Sequence, residues 1–157
     1  MTGDLSKQLH ALQKSTDDLN ALTDRANEIV RRVEVFLREK CRVGGQASVA
    51  VDSLTQDHSH DGGPIIEPYL DYERYKGDFR ILVSTFIDNE LHDSKPWSEC
   101  SREVKLKALD ALPELIGKLH EMVNSQLQET RAKIDHLDSM FPSAAELQQR
   151  ASASKKG

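Results

Sequence analysis

The feature that constrains this chain most is a long stretch of helical periodicity near its end, from about residue 98 to residue 140. Apolar residues recur there in steps of three and four, at Leu109, Leu112, Ile116, Leu119, Val123, Leu127, Ile134 and Leu137. This spacing places them along one side of an α-helix. Pro113 falls inside the stretch, and because the apolar phase continues through it, a kink is favoured over a new segment. The rest of the chain must supply a surface that covers this helix.

A second long helix is predicted at the beginning of the chain, from Asp4 to about Cys41. The heptad spacing of this run is carried by Leu5, Leu9, Leu12, Thr16, Leu19, Thr23, Ala26, Val30, Val33 and Leu37. In the first half the seam is narrow, which is typical of packing on one partner helix. Leu22, Ile29 and Phe36 widen it in the second half, which predicts that this half covers a sheet. Gly44-Gly45 is expected to end the helix with a left-handed cap.

The middle of the chain reads as strands. Residues 47–55 are short and β-branched, and two β-rich runs flank Lys76-Gly77, a good hairpin signal. The run from Phe79 to Ile87 alternates, which predicts one firmly buried face. Pro68 removes a ladder donor, so the second strand is expected to begin after it or to lie at an edge there. The stretch from Asn89 to Glu99 is expected to be a connection into the last helix, capped by Ser98 or Ser101.

The predicted fold is therefore α+β with the order α-β-β-β-α. It is a three-stranded antiparallel meander covered by two long helices, which extend beyond it as a coiled-coil-like pair because a 37-residue helix spans about 55 Å and a strand only about 20 Å. Residues 1–141 are expected to form one domain with projecting helical ends. Residues 142–157 are polar and low in complexity, and are expected to be a disordered tail.

Charge, cysteine content and hydropathy indicate the compartment in which the protein is expected. The formal charge is −5, and it is concentrated in residues 46–99, which carry −7 while each flanking part carries +1. Two cysteines, Cys41 and Cys100, are expected to be reduced and structural, since the chain starts without the features of a secretory signal. No apolar run approaches the roughly 20 residues that cross a bilayer. A cytoplasmic protein with no membrane contact is expected.

The projecting ends of the two helices are the predicted interface. They carry large apolar side chains that need a partner, either each other or a second copy of the chain: Leu5, Leu9, Leu12, Leu19, Leu127, Ile134, Leu137 and Phe141. Residues 127–141 are expected to meet residues 5–19, in the same chain or in another. A homodimer, or an unidentified protein partner, is the partner class that these residues indicate.

Motifs that carry chemistry are nearly absent from the sequence, and neither catalytic residues nor a cofactor are predicted. The residues 120–124 begin like the zinc-binding H-E-x-x-H helix but end in Asn124, so one of the two ligands is missing. The only other metal candidate is the loop with Asp57, His58, His60 and Asp61. Imidazoles and carboxylates bind transition metals, but a Gly-rich loop fixes no ligand geometry, which favours a solvated loop.

Arg31, Arg38 and Arg42 project from the first helix at about the same angle, opposite its apolar seam, and form a possible anion contact. Partial neutralisation by Glu34 and Glu39 favours a solvated face instead. The α-β-β-β-α order is similar to that of small bacterial nucleoid-associated proteins, which dimerise through long helices; the likeness concerns the order of elements and no motif. The acidic middle segment disfavours nucleic acid.

The sequence thus predicts a non-catalytic assembly protein that forms a homodimer through its long amphipathic helices. The alternative is a nucleoid-type dimer that contacts phosphates through Arg31, Arg38 and Arg42. An enzyme ranks last, because no convergent set of titratable groups can be assembled.

Overall fold

A computed structural model describes residues 2–156 and confirms the α+β class. The helices are α1 (Thr2–Val35), α2 (Arg102–Ala108), α3 (Leu112–Met140) and α4 (Ala144–Ser154), and the strands are β1 (Ala47–Ala50), β2 (Gln56–Asp57), β3 (Ile65–Tyr75), β4 (Asp78–Ile87) and β5 (Glu90–Pro96). The chain divides into two compact units, residues 2–119 and 120–156. The first unit contains the sheet and the whole hydrophobic core described below.

The first helix ends differently from the sequence prediction. After Val35 the chain continues as a π-helical turn from Phe36 to Lys40, in which the Cys41 N–H bonds the Phe36 carbonyl at 3.0 Å. The left-handed residue is Arg42, with φ 51°, and neither Gly44 nor Gly45 has a positive φ. The expected glycine cap is therefore wrong, because the wider π turn already closes the end of the helix.

The sheet is antiparallel, with the order β1-β3-β4-β5, and β2 pairs with β3 beyond β1. The predicted hairpin is confirmed: β3 and β4 pair along their whole length, from Ile66 opposite Ile87 to Tyr75 opposite Asp78. Two additions enlarge the predicted three-stranded meander. β2 lies in the expected loop, and β5 occupies most of the expected connection into the last helix.

Two-residue turns join the last three strands. Lys76 and Gly77 have φ of 48° and 98°, and Asp88 and Asn89 have φ of 50° and 67°. Positive φ at both central positions defines the type of hairpin turn whose twist matches that of the flanking strands. Asp88 Oδ1 also accepts the Ile65 N–H at 2.9 Å, which ties the second turn to the start of β3.

Pro68 lies inside β3, contrary to the prediction that this strand starts after it. The Pro68 carbonyl accepts the Val51 N–H at 2.9 Å, so this residue faces β1. Immediately after Val51 the chain leaves the ladder in a 3₁₀ turn, Asp52–Leu54, before it rejoins as β2. A proline is tolerated there because the Val51 carbonyl, which an N–H at this position would meet, accepts the Leu54 N–H of that turn at 3.0 Å instead.

One face of the sheet carries the core. Residues paired across strands share a face, and the pairs on this core face are almost completely buried: Val49, Leu70, Tyr72, Ile81 and Val83. The helices of the first unit bury Ala26, Val30, Leu37, Ala108, Ala111, Leu115 and Leu119. Trp97, the only tryptophan, is 1% exposed and donates from Nε1 to the Lys105 carbonyl at 3.3 Å, which anchors α2 to the core.

The last helical stretch is broken rather than kinked. α2 starts at the N-cap Ser101, whose hydroxyl accepts the Val104 N–H, and it ends at Ala108. A 3₁₀ turn, Leu109–Ala111, precedes α3, so Pro113 falls in the first turn of a new helix, where a missing N–H costs nothing. This insertion also shifts the buried phase by one residue, from the expected Leu109, Leu112 and Ile116 to Ala108, Ala111 and Leu115.

The second unit is helical. It contains the later part of α3 and the short helix α4, which lies in the segment expected to be disordered. Ser143 and Glu146 form a capping box at its start: the Ser143 hydroxyl accepts the Glu146 N–H, and the Glu146 carboxylate accepts the Ser143 N–H. A reciprocal cap of this kind satisfies two N–H groups that an isolated helix would leave unpaired.

Candidate interaction surfaces

The N-terminal half of α1 carries a seam of exposed leucines. Leu5, Leu9, Leu12 and Leu19 are between 39% and 63% exposed. The two polar positions of the seam satisfy themselves, since the Thr16 and Thr23 hydroxyls donate to the Leu12 and Leu19 carbonyls at 2.9 and 2.8 Å. These two hydroxyls therefore need no hydrogen-bond partner from another element, whereas the leucine side chains are exposed to water. We call these four leucines the N-terminal seam.

The second unit has a seam of the same kind. Its four predicted interface residues, Leu127, Ile134, Leu137 and Phe141, are between 50% and 71% exposed. Met140 and Leu147 add further exposed apolar area. Large apolar side chains exposed in a row are typical of an interaction site. We call Leu127, Ile134, Leu137 and Phe141 the C-terminal seam.

A third apolar row contradicts the sequence interpretation. Leu22, Ile29 and Phe36 were expected to widen the face that covers the sheet, yet they are 56%, 47% and 55% exposed. Their steps of seven residues keep them in line, about 80° around the helix from the buried Ala26 and Val30 at 3.6 residues per turn. This angle follows from the residue spacing alone, so the sequence is sufficient to distinguish the exposed row from the buried one. We call Leu22, Ile29 and Phe36 the lateral stripe.

The arginine stripe is partly neutralised within its own helix. Arg31 donates from Nε and Nη2 to the two carboxylate oxygens of Glu28, at 3.0 and 2.9 Å, and Arg32 donates to the same carboxylate at 2.9 Å. The hydrogen bonds from Arg31 and then Arg32 lower the pKa of Glu28 to about 2. Arg38 lies 3.8 Å from Glu39, and Arg42 follows the end of the helix. Two of the three predicted contacts, Arg31 and Arg38, therefore share their charge with a glutamate of the same chain.

The loop with the two histidines adopts a defined turn. Asp57 Oδ1 accepts the Ser59 N–H at 2.9 Å, and hydrogen bonds from the Ser59 side chain and then from this N–H lower the pKa of Asp57. His58 Nε2 lies 3.4 Å from Gln56 Oε1. Across residues 2–156, no group of three or more His, Cys, Asp or Glu side chains is arranged to hold a metal ion. His58, His60, Asp57 and Asp61 are thus not brought together as a ligand set.

The sheet face opposite the core face holds a groove that the sequence reasoning missed. Its volume is ≈ 270 Å³, and its lining includes Ser48, Asp71, Glu73, Ser84 and Phe86. Asp71 is 7% exposed and accepts a hydrogen bond from the Ser48 hydroxyl. Burial, and then the charge of Asp71, raise the pKa of Glu73. The alternation along β3 could have located these carboxylates on one face.

The aromatic side chains of β3 and the two cysteines have structural positions. Tyr72 stacks on Phe79 on the core face, while Tyr69 meets Phe86 edge-on across the other face. Burial raises the pKa of the Cys100 thiol, and Cys41 is exposed; both thiols are free. No helix within residues 2–156 has the length and apolar character needed to span a membrane.

Comparison of the chain with protein-family models, with curated proteins and with solved structures finds no match.

Proposed function

We propose that this protein is a non-catalytic assembly protein that associates with a second copy of itself through its long helices. The observation that carries the proposal is the pair of exposed seams, the N-terminal seam on α1 and the C-terminal seam on the second unit. Burying a large apolar side chain that is half exposed gains on the order of 1 kcal/mol. Eight such side chains on every chain give a strong drive to association.

The spacing of the seams supports a helical partner rather than a flat surface. Steps of four and three place apolar residues where the knobs of a paired helix meet the holes of its neighbour. The polar residues between them are exposed and charged in both signs, which keeps the rest of each helix in water. A second copy carries the matching seams by definition, so no other protein is needed to complete the interface.

The first test is the mass of the protein in solution at micromolar concentration, measured by light scattering after size-exclusion chromatography. We expect a mass at least twice that of one chain. The variants Leu9→Glu/Leu12→Glu and Ile134→Glu place charge on the two seams and should lower this mass. Gln13→Glu and Gln128→Glu, which each add one negative charge at an exposed neighbouring position, control for the effect of added charge on the two helices. A monomeric native chain would show the proposal to be wrong.

Phosphate contact through Arg31, Arg38 and Arg42 is the alternative proposal. Its support is Arg42, which forms no ion pair within residues 2–156 and follows the π turn that contains Arg38; Arg31 shares its charge with Glu28. An electrophoretic mobility shift with duplex DNA at low salt tests it. Retardation that Arg38→Gln/Arg42→Gln abolishes would favour this function, and no retardation at low salt excludes it.

A further inference from the structure

The lateral stripe is an apolar surface on the folded part of the molecule that the two seams do not include. Leu22, Ile29 and Phe36 lie seven residues apart on α1 and the following π turn, and about half of each is exposed. Because Ala26, Val30 and Leu37 of the same helix are buried in the core, this segment of α1 is held in place by the first unit. The lateral stripe is therefore a fixed surface about 21 Å long at 1.5 Å per residue.

The residues around the lateral stripe are arranged symmetrically about Ile29. Leu22 and Phe36 stand seven residues before and after it. Asp18 precedes Leu22 by four residues, one helical turn, and Lys40 follows Phe36 by four. Both charged side chains are exposed and form no ion pair within residues 2–156. The pattern thus carries opposite charges at its two ends and an apolar residue at its centre.

We infer that the lateral stripe packs against the lateral stripe of a second copy, antiparallel, with Ile29 at the two-fold axis. In this register Leu22 of each copy meets Phe36 of the other. The same register places Asp18 opposite Lys40 at both ends, which gives two complementary charge pairs. This inference rests on the proposed self-association but assigns it a further surface.

The charges decide the direction of the helices. In a parallel pair Asp18, Arg25 and Lys40 would each face their own copies, which is unfavourable. The antiparallel pair replaces the first and last of these repulsions by attractions. Arg32 borders the lateral stripe, and its positive charge is offset by its hydrogen bond to Glu28 in the same helix. An isologous two-fold contact is also the commonest way in which identical chains associate.

A chain with two separate self-association surfaces forms assemblies larger than a dimer. The N-terminal seam follows the row of the buried core residues along α1, whereas the lateral stripe lies about 80° away from that row. Two isologous contacts on different sides of one chain generate closed tetramers or longer arrays. We therefore expect the native mass to exceed that of a dimer.

The test is the mass of the full-length variants Ile29→Glu and Phe36→Glu, with far-UV circular dichroism to verify folding. Both should lower the mass of the assembly about twofold, whereas Gln13→Glu, on the opposite side of α1, should leave it unchanged. If the mass is insensitive to both variants but falls in Leu9→Glu/Leu12→Glu, the inference is wrong and the proposed function stands. A native monomer overturns both.

Cross-linking tests the direction. In a Cys41→Ser background, Leu22→Cys/Phe36→Cys should form disulfide-linked chains on mild oxidation, and Leu22→Cys alone should not. Efficient cross-linking of the single Leu22→Cys variant would instead show a parallel pair and overturn the antiparallel assignment. A variant with Gln13→Cys, which lies away from the lateral stripe, controls for random collisions and should stay uncross-linked.

Discussion

Glu34 connects α1 to the sheet through one carboxylate. Its Oε1 accepts the Ile81 N–H at 2.8 Å and lies 3.8 Å from Arg80 Nε. β5 ends opposite Leu82, so no strand reaches the N–H of Ile81 from that side. The side chain of Glu34 is only 13% exposed, and the bond joins residues 47 positions apart. A carboxylate on a helix thus completes the ladder of a strand.

Removing this acceptor should destabilise the fold measurably. We expect Glu34→Ala to lower the free energy of unfolding by about 1.5–3 kcal/mol, because it leaves the N–H of the buried residue Ile81 unpaired. Glu34→Gln keeps an acceptor oxygen and should lose less. Urea denaturation at neutral pH measures both. Equal stability of Glu34→Ala and the native chain would contradict this account.

Glu73 should make stability fall as pH rises. Burial, together with the neighbouring charge of Asp71, raises its pKa, so the folded state binds a proton more tightly than the unfolded state. The favourable contribution is complete below the unfolded pKa and is lost as the pH rises through the folded value. We expect Glu73→Gln to raise the Tm at pH 7 and to have little effect at pH 3. A variant that stabilises equally at both values would argue against a titration origin.

At the scale of the elements, the sequence predicted those strands in which apolar and polar side chains alternate. β3 and β4 alternate and are joined by Lys76-Gly77, so both the pairing and the turn could be recognised. β5 has polar side chains on both faces, since most of the residues from Glu90 to Lys95 are exposed. Such a strand has no apolar period, and the turn before it uses Asp88-Asn89 instead of a glycine.

The turn at Asp88-Asn89 gives a prediction for this missed element. Asn89 has φ 67°, a region that asparagine tolerates and β-branched residues do not. We expect Asn89→Val to lower the free energy of unfolding by about 1–2 kcal/mol, and Asn89→Gly to be neutral or slightly stabilising. Thermal unfolding followed by circular dichroism compares the three chains. If Asn89→Val is as stable as Asn89→Gly, the left-handed turn is not required.

The two halves of α1 show how far periodicity predicts a surface. The seam with Leu5, Leu9, Leu12 and Leu19 could be read as one face, because its steps of four and three point in one direction. The lateral stripe was assigned to the core because hydrophobicity shows that a side chain prefers burial but not which surface buries it. The angle around the helix distinguishes the lateral stripe from the row of buried residues on α1. Which elements cover each row can be seen only in the folded structure.

At the scale of the whole molecule, self-association should appear in the stability. If copies bind one another only when folded, the Tm rises with protein concentration by mass action. We expect a higher Tm at high than at low micromolar concentration for the native chain. The Leu9→Glu/Leu12→Glu variant should show a smaller dependence, while Gln13→Glu should behave like the native protein. A Tm that is independent of concentration would argue against assembly in this range.

The outer edge of β5 carries side chains that oppose pairing with a strand of another molecule. His92, Asp93 and Lys95 are exposed along this last strand of the sheet. A strand added by another molecule would have to lie beside these charged and polar side chains and desolvate them, which discourages edge-to-edge pairing. Growth by continuous β-sheet, the route to insoluble fibres, is therefore disfavoured. Copies of the chain that met through the apolar side chains exposed on their helices would thus not be joined further through this edge of the sheet.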